Sequence, residues 1–272
     1  MNHSSRMILC RQVDHSPRYD PKQLCPIPRA LGRAAGIGNT LSFSHGQDIW
    51  NIYELSWLAR SGKPVVAMAE VRVPWSSPNL IESKSLKLYC NSFNMTPLDS
   101  ATAVQEIMTR DLSMAAGADV QVLLASPESF SRVVMSEPDG ICIDDQDITG
   151  FTYETEPELL EAASETVNET LFTRLFRSRC PVTGQPDWAT VCIRYAGPRI
   201  LHDGLLRYLV SYREHQGFHE ACVEKIHADI RRRCGVDKLE VSARFTRRGG
   251  LDINPVRSTH PAPWTNLRDP RQ

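Results

Sequence analysis

One order of strand and helix patterns is written twice along this chain, and that duplication restricts the fold more than any compositional value. In the first copy, 48–58 and 65–73 are rich in β-branched and aromatic residues. Ser61-Gly62-Lys63-Pro64 punctuates them, as in a hairpin. Residues 83–93 carry Leu86, Leu88, Tyr89 and Phe93 close to helical spacing, and 101–116 places Val104, Ile107, Met108, Leu112 and Ala115 on one helical face. Residues 120–124 and 141–153 read as a closing pair of strands. The second copy repeats the order. Residues 166–180 and 188–195 read as strands around the turn-rich 181–186, with the alternation in 189–195 supporting strand, although 168–176 alone could be helix. Asp203 is a candidate N-cap for a helix over 205–214. Cys222, Val223, Ile226 and Ile230 give 218–234 an amphipathic face. Residues 239–246 alternate as a strand, and Gly249-Gly250 turns it into 251–254.

Helices that come in pairs between antiparallel strands predict an α+β fold rather than a parallel α/β sheet. The expected organisation is an irregular N-terminal arm over 1–45, a first module over 46–160 and a second over 161–272. A chain of 272 residues can bury a core without covalent staples. Exposed sheet edges in such modules invite pairing with another subunit, which closes a barrel and predicts a homodimer or higher homo-oligomer.

Charge and cysteine usage narrow the function. With Lys+Arg 31 against Asp+Glu 32, the formal net charge is -1, which argues against a surface devoted to nucleic acid or membrane. Residues 1–9 hold no signal-type apolar region, and no apolar run approaches a membrane span, so a cytoplasmic location is expected. The cysteines are Cys10, Cys25, Cys90, Cys142, Cys180, Cys192, Cys222 and Cys234, and no two are spaced C-x-x-C. A zinc ribbon or a thioredoxin-type pair is therefore poorly supported, and no metal is expected. Neither a G-x-G-x-x-G after a strand nor a P-loop is present.

Four strings carry chemistry, each with a plainer alternative. In 79–87 a carboxylate, Glu82, stands at a strand-to-helix junction before Ser83, Lys84 and Ser85. It can cap the helix, or it can read the amide edge of a ligand while Lys84 and the helix N–H groups face a phosphate. In 177–188, Cys180 enters a Pro-rich turn just after Arg177 and Arg179, which would favour its thiolate, and Asp187 lies where a folded loop could return it beside the sulfur. A thiolate next to a protonated carboxyl is a nucleophile with a general acid; a buried structural cysteine is the alternative. Phe218-His219-Glu220 either starts a helix or stacks on and hydrogen-bonds a planar heterocycle. Arg247-Arg248-Gly249-Gly250 is either a solvated hairpin tip or a fork for a 2′-phosphate.

Taken in order, Tyr53-Glu54-Leu55-Ser56-Trp57, residues 79–87, Cys142-Ile143-Asp144-Asp145-Gln146-Asp147, residues 180–188, Phe218-His219-Glu220 and residues 246–255 resemble one family. It is the NADPH-dependent 7-cyano-7-deazaguanine reductases, the nitrile reductases of queuosine biosynthesis, in their two-module form. The resemblance runs from about residue 48 to 258. It implies two tandem tunnelling-fold modules, each an antiparallel sheet with paired helices on one face. It further implies an enzyme that reduces the nitrile of 7-cyano-7-deazaguanine to 7-aminomethyl-7-deazaguanine with two NADPH and no metal.

By the same resemblance, Cys180 adds to the nitrile carbon to form a thioimide while Asp187 protonates the nitrogen. One hydride yields a thiohemiaminal, whose collapse leaves an enclosed imine for the second. Ile81, Glu82, Ser83, Phe218, His219 and Glu220 would bind the substrate, with His219 assisting the second reduction. Lys84, Ser85, Arg248 and Gly249 would hold the NADPH phosphates. The partner is the small molecule, with no direct role for nucleic acid or membrane. Two rivals share the fold: a zinc-dependent cyclohydrolase-like or aldolase-like enzyme acting on a pterin, and a purine- or pterin-binding module without catalysis.

Overall fold

The computed structural model describes residues 16–37, 41–132 and 134–272; Cys10 and part of the expected N-terminal arm lie outside them. The described chain separates into two compact units. The first takes the described part of Met1–Leu31, then Asp48–Val134 and Arg247–Ile253. The second takes the described part of Gly32–Gln47, then Met135–Thr246 and Asn254–Gln272. Ten strands and five α-helices are present among the described residues.

The arm is not wholly irregular. It carries β1 (Pro26–Pro28), antiparallel to β4 (Asn79–Ile81), and α1 (Arg29–Gly36). Pro28 gives no helical signal of its own, but the residues after it include Ala30, Leu31 and Ala34, which form helix readily. Tertiary contacts secure the start, where Arg29 is buried against Asp48 (Nη2 to Oδ2, 2.5 Å) and Ser77 (3.0 Å).

In the first unit, β2 (His45–Leu58) and β3 (Pro64–Pro74) are sheet neighbours. β5 (Gln121–Ala125) pairs antiparallel with β3, Glu70 opposite Leu123. Trp50, Ile52, Leu55 and Trp57 of β2 and Ala67, Ala69, Val71 and Val73 of β3 share a core with α2 (Ser83–Ser92) and α3 (Ala101–Ala116). Ser100 caps α3 by accepting from Ala103 N at 3.1 Å, and Gly117, at φ 70, ends it in the left-handed region. The expected closing strand over 141–153 is absent. Only Ile141–Cys142 extends, as β6, and it pairs in parallel with β7 (Ala162–Arg179) in the second unit. Pro138, Asp139 and the Asp144-Asp145-Gln146-Asp147 run leave too short a stretch for a longer ladder. The first unit gains its further strand from 251–253, where Tyr53 N–H donates to Gly250 O at 3.0 Å.

The second unit keeps the expected order: β7, β8 (Pro186–Ile200), α4 (His202–Val210), α5 (His219–Cys234), β9 (Lys238–Phe245) and, from Asn254 on, β10 (Leu251–Ser258). β7–β8, β8–β9 and β9–β10 all pair antiparallel. Residues 168–176 are strand, laddered antiparallel against 189–196 of β8, with an irregularity between Thr173 and Phe176. Asp203 is not the N-cap of α4. That position is Leu201, and Asp203 lies in the first turn, where its charge suits the helix dipole.

The two helix pairs also share an internal register. Tyr89 stands six residues after the start of α2 (83 to 89), and Tyr208 six after that of α4 (202 to 208). Asp111 stands ten after the start of α3 (101 to 111), and Asp229 ten after that of α5 (219 to 229). Tyr89 OH donates to Asp111 at 2.9 Å, and Tyr208 OH to Asp229 at 2.8 Å. Ser92 and Ser211 each donate back to the carbonyl of that tyrosine at 2.6 Å. The same buried phenol–carboxylate bond therefore joins the helices of each pair.

Candidate active site

β7 is long and would run with one alternation throughout, but a register shift between Thr173 and Phe176 inserts one residue. Thr173 faces Val191, while Phe176 already faces Ala189. Such a bulge reverses which side chains point to which side. Before it, Leu171 and Thr173 are fully buried and Phe172 nearly so; after it, Phe176, Ser178 and Cys180 are the buried set. Arg177 and Arg179 take the other face, with Arg177 paired across the strands to Trp188, its guanidinium 5.6 Å from the ring centre.

Ser178 is the cross-strand partner of Asp187, so their side chains share the inward face. Cys180 begins the turn that joins the strands. Its N–H donates to Gln185 O, and its carbonyl accepts from Gly184 N, both at 2.9 Å. Gly184 takes φ 67 in that turn, a conformation costly for any side chain-bearing residue. The sulfur-bearing residue is 6% exposed and Asp187 also 6%.

The segment entering α5 is hydrogen-bonded to the same strand end. Arg179 N donates to His215 O at 2.8 Å and Gly217 N to Arg179 O at 3.1 Å. A side chain at Gly217 would crowd the His215 ring, 2.9 Å to Nε2, and Cys222 Sγ at 3.3 Å, so glycine suits the close approach. Phe218 is the N-cap of α5 and gives no side-chain cap, which leaves the positive end of the helix to the site. His219 Nε2 lies 3.9 Å from Asp187 Oδ2, beyond hydrogen-bond length but within electrostatic reach. Its ring stands edge-on to Phe245, centroids 4.0 Å apart. The Phe245–Thr246 peptide is held at both ends: Gln272 Nε2 donates to its carbonyl at 2.8 Å, and its N–H donates to Trp188 O at 2.9 Å. Glu220, 4% exposed, follows in the first turn of α5. Cys222 is a different kind of cysteine. Burial pushes its thiol up to about 12, and the carboxylates of Asp187 and Glu220 push the same way. In the second unit the structure thus gathers Cys180, Asp187, Phe218, His219 and Glu220, together with Ser178, which the motif reading passed over.

The first unit holds the other set. Ile81 ends β4, and Glu82 follows it as the N-cap of α2, accepting from Lys84 N at 3.0 Å and Ser85 N at 2.7 Å. The capping alternative is therefore realised, yet a carboxylate has more acceptor sites than these two bonds use. Ser85 is fully buried; its hydroxyl donates to Glu82 O at 2.6 Å and accepts from Cys25 N at 3.0 Å. Ser83 and Lys84 are half-buried, and Lys84's ammonium has no partner among the described residues.

Glu54, which sequence reasoning cited only within a longer string, ties two of these motifs together. It pairs with Lys87 of α2, and its carboxylate fills the space a side chain at Gly250 would need (2.5 Å to Cδ). That contact places the Arg247-Arg248-Gly249-Gly250 turn beside α2. Arg247 covers the Tyr53 ring at 4.5 Å, Gly249 (φ 64) opens to empty space, and Arg248 N is bonded to Leu251 O at 2.9 Å. Among the described residues no group of three His, Cys, Asp or Glu side chains is placed to hold a metal ion, and no helix is long and apolar enough to cross a membrane.

Two family models match the chain. Residues 15–124 match "Nitrile reductase, 7-cyano-7-deazaguanine-reductase N-term", and residues 186–264 match "QueF-like protein", so Cys180 falls between the matched segments. A protein of Desulfotalea psychrophila named NADPH-dependent 7-cyano-7-deazaguanine reductase is 52% identical over 274 residues, covering 100% of this chain and 99% of that protein. Proteins of the same name from Burkholderia multivorans (52% over 262 residues, 95% of each chain) and Bordetella parapertussis (53% over 271 residues, 98% of this chain and 99% of the other) are similarly close.

Proposed function

We infer the chemistry from one premise: the chain belongs to the NADPH-dependent 7-cyano-7-deazaguanine reductase family. It reduces the nitrile of 7-cyano-7-deazaguanine to an amine with NADPH, in queuosine biosynthesis. The roles of individual residues are our reading, and the inward face of the β7–β8 hairpin carries it. Cys180 and Asp187 share that face, while His219 and Glu220 enter it from the start of α5.

Cys180 is the nucleophile. A nitrile carbon is a poor hydride acceptor until sulfur adds to it, which turns C≡N into an activated C=N of a thioimide. Asp187 stands on the same face and delivers the proton that the nitrile nitrogen takes up; such general acid catalysis is worth roughly 10²–10⁴-fold. Asp187 must therefore hold its proton when the sulfur adds. In the second unit Glu220 is assigned to accept from the N–H donors of a guanine-like substrate and Phe218 to stack on its ring; in the first unit Glu82, bordered by Ile81 and Ser83, is assigned to substrate recognition as well. His219, braced by Phe245, serves the second reduction. The burial of Cys180 and Asp187 supports a site closed enough to protect an imine from hydrolysis.

Lys84, Arg248 and Gly249 would hold the phosphates of NADPH. The residues fit such a group, because Lys84's ammonium has no partner among the described residues and Gly249 leaves open space beside two arginines. Ser85 supports the site from within by fixing the turn. NADPH held there supplies the two hydrides that reduction of a nitrile to an amine requires, one molecule for each. The repeated Tyr–Asp bond between paired helices supports reading the chain as two tandem tunnelling-fold modules. The functional form is a cytoplasmic homodimer or higher homo-oligomer closed along sheet edges.

The test is incubation with 7-cyano-7-deazaguanine without NADPH, followed by intact-mass spectrometry. A mass gain of one substrate, lost in Cys180→Ala, is expected. Absence of the adduct in the wild-type protein, or its persistence in Cys180→Ala, would overturn the assignment of the nucleophile.

A further inference from the structure

The face to which Cys180 points is decided by the parity of a strand, and that parity is set seven residues upstream. Between Thr173 and Phe176 one extra residue reverses the alternation of β7. Without it Arg177 and Arg179 would occupy the inward positions, and Cys180 would turn to the outer face. A bulge of this kind leaves backbone N–H groups without ladder partners. Here a side chain from elsewhere in the chain takes them up. Asp144 Oδ1 and Oδ2 each accept from Arg174 N at 3.2 Å, and Oδ1 also accepts from the Thr173 hydroxyl at 2.6 Å. The Thr173 hydroxyl in turn accepts from Leu175 N at 3.1 Å. Asp144 is brought there by β6, whose Ile141 and Cys142 pair in parallel with Leu171 and Phe172, and by Ile143 N, which donates to Phe172 O at 3.0 Å. Thr173 is fully buried, while Leu175, at the bulge, is 43% exposed.

We propose that Asp144 is a positioning residue for the nucleophile: with Thr173 it locks the β7 bulge and thereby holds Cys180 on the Asp187 side of the hairpin. Asp144 touches neither substrate nor sulfur in this scheme; it acts through strand register alone. The proposal explains a short parallel strand that would otherwise contribute only two residue pairs. It rests on Cys180 being the nucleophile, but the register claim has its own readout.

The experiment compares Asp144→Ala with Asp144→Asn, which keeps the Oδ1 acceptor. Two rates are followed at Cys180: adduct formation with 7-cyano-7-deazaguanine, and alkylation by iodoacetamide located by peptide mass spectrometry. Asp144→Ala is expected to slow adduct formation at least a hundredfold and to speed alkylation about tenfold, as the sulfur turns outward. Asp144→Asn is expected to stay within about threefold of wild type on both. A folded Asp144→Ala protein with wild-type rates on both measures overturns the proposal, as does an Asp144→Asn protein as impaired as Asp144→Ala. If Asp144→Ala does not fold, Thr173→Val against Thr173→Ser repeats the comparison, because only serine retains the bridging hydroxyl. If the wild type forms no adduct while alkylation follows this pattern, the register claim stands and the assignment of the nucleophile falls.

Discussion

His227 gives a prediction whose size can be worked out from its surroundings. It lies on α5 and is fully buried, with Nδ1 2.7 Å from Ser42 Oγ and its ring edge-on to Phe43 at 5.5 Å. Arg231 donates to Ser42 O at 2.8 Å, so residues 42–43 are fastened onto the helix whose first turn carries His219 and Glu220. Burial pulls the His227 pKa from 6.5 down to about 3, and the charges of Arg231 and Arg257 act in the same direction. A histidine lowered in the folded state holds its proton less well there than in the unfolded chain. Its contribution is fully present above the unfolded value and is lost as pH falls through 6.5 toward 3. Within that window each pH unit costs about 1.4 kcal/mol. Moving from pH 7.5 to 5.0 crosses about 1.5 units of it, so this one residue removes about 2 kcal/mol.

The perturbation is His227→Gln, similar in size and unable to titrate. Urea unfolding of both proteins at pH 7.5 and 5.0 gives two stability losses. Every other group titrates alike in both, so their difference isolates the imidazole. The variant is expected to start less stable at pH 7.5 but to lose about 2 kcal/mol less on acidification. Equal losses in the two proteins would refute the buried neutral histidine and the cause assigned to it.

Three further expectations are direct. Asp187→Asn should slow adduct formation in single-turnover mass measurements by roughly 10²–10⁴-fold, since it removes the proton donor and leaves the sulfur in place. Tyr89→Phe and Tyr208→Phe should each cost about 1–3 kcal/mol in urea unfolding, because each strands part of a buried carboxylate's hydrogen bonding; similar values would match the shared register of the two helix pairs. Gly250→Ala places a Cβ 2.5 Å from Glu54 Cδ at a φ of 78. It should raise the KM for NADPH severalfold with little change in adduct formation, as shown by steady-state titration of the cofactor beside the mass assay.

The elements that sequence reasoning located best are those whose order is local. The α3 face from Val104 to Leu112 and the α5 face from Cys222 to Ile230 follow the 3.6-residue period and are buried as that period requires. What escaped is what depends on distant partners. α1 forms in a Pro- and Arg-rich stretch because Arg29 meets Asp48 and Ser77. The first unit's sheet takes a strand from 251–253 rather than from 141–153, because hydrophobic pattern shows that a strand exists and not which sheet receives it. The internal duplication, by contrast, was legible at higher resolution than patterns of strands and helices alone allow. Tyr89-Cys90-Asn91-Ser92-Phe93 and Tyr208-Leu209-Val210-Ser211-Tyr212 share the same tyrosine, serine and aromatic positions.

The site divides along the same line. Residue type and spacing suffice to nominate Cys180 with Asp187, since seven residues across a Pro- and Gly-containing turn return the chain to a hairpin partner. They do not suffice to say that the two side chains face the same way. In a strand that is a question of odd or even, and a single inserted residue reverses the answer. The insertion in β7 has no signature of its own in 173–176; its backbone is met by a carboxylate some thirty residues earlier and by the Thr173 hydroxyl. Glu54 behaves similarly for the Arg247-Arg248-Gly249-Gly250 turn, joining Lys87 to Gly250 from a third segment. In both places the chemistry-bearing residues announce themselves, and the residues that aim them look like ordinary surface acids until the fold brings them into contact.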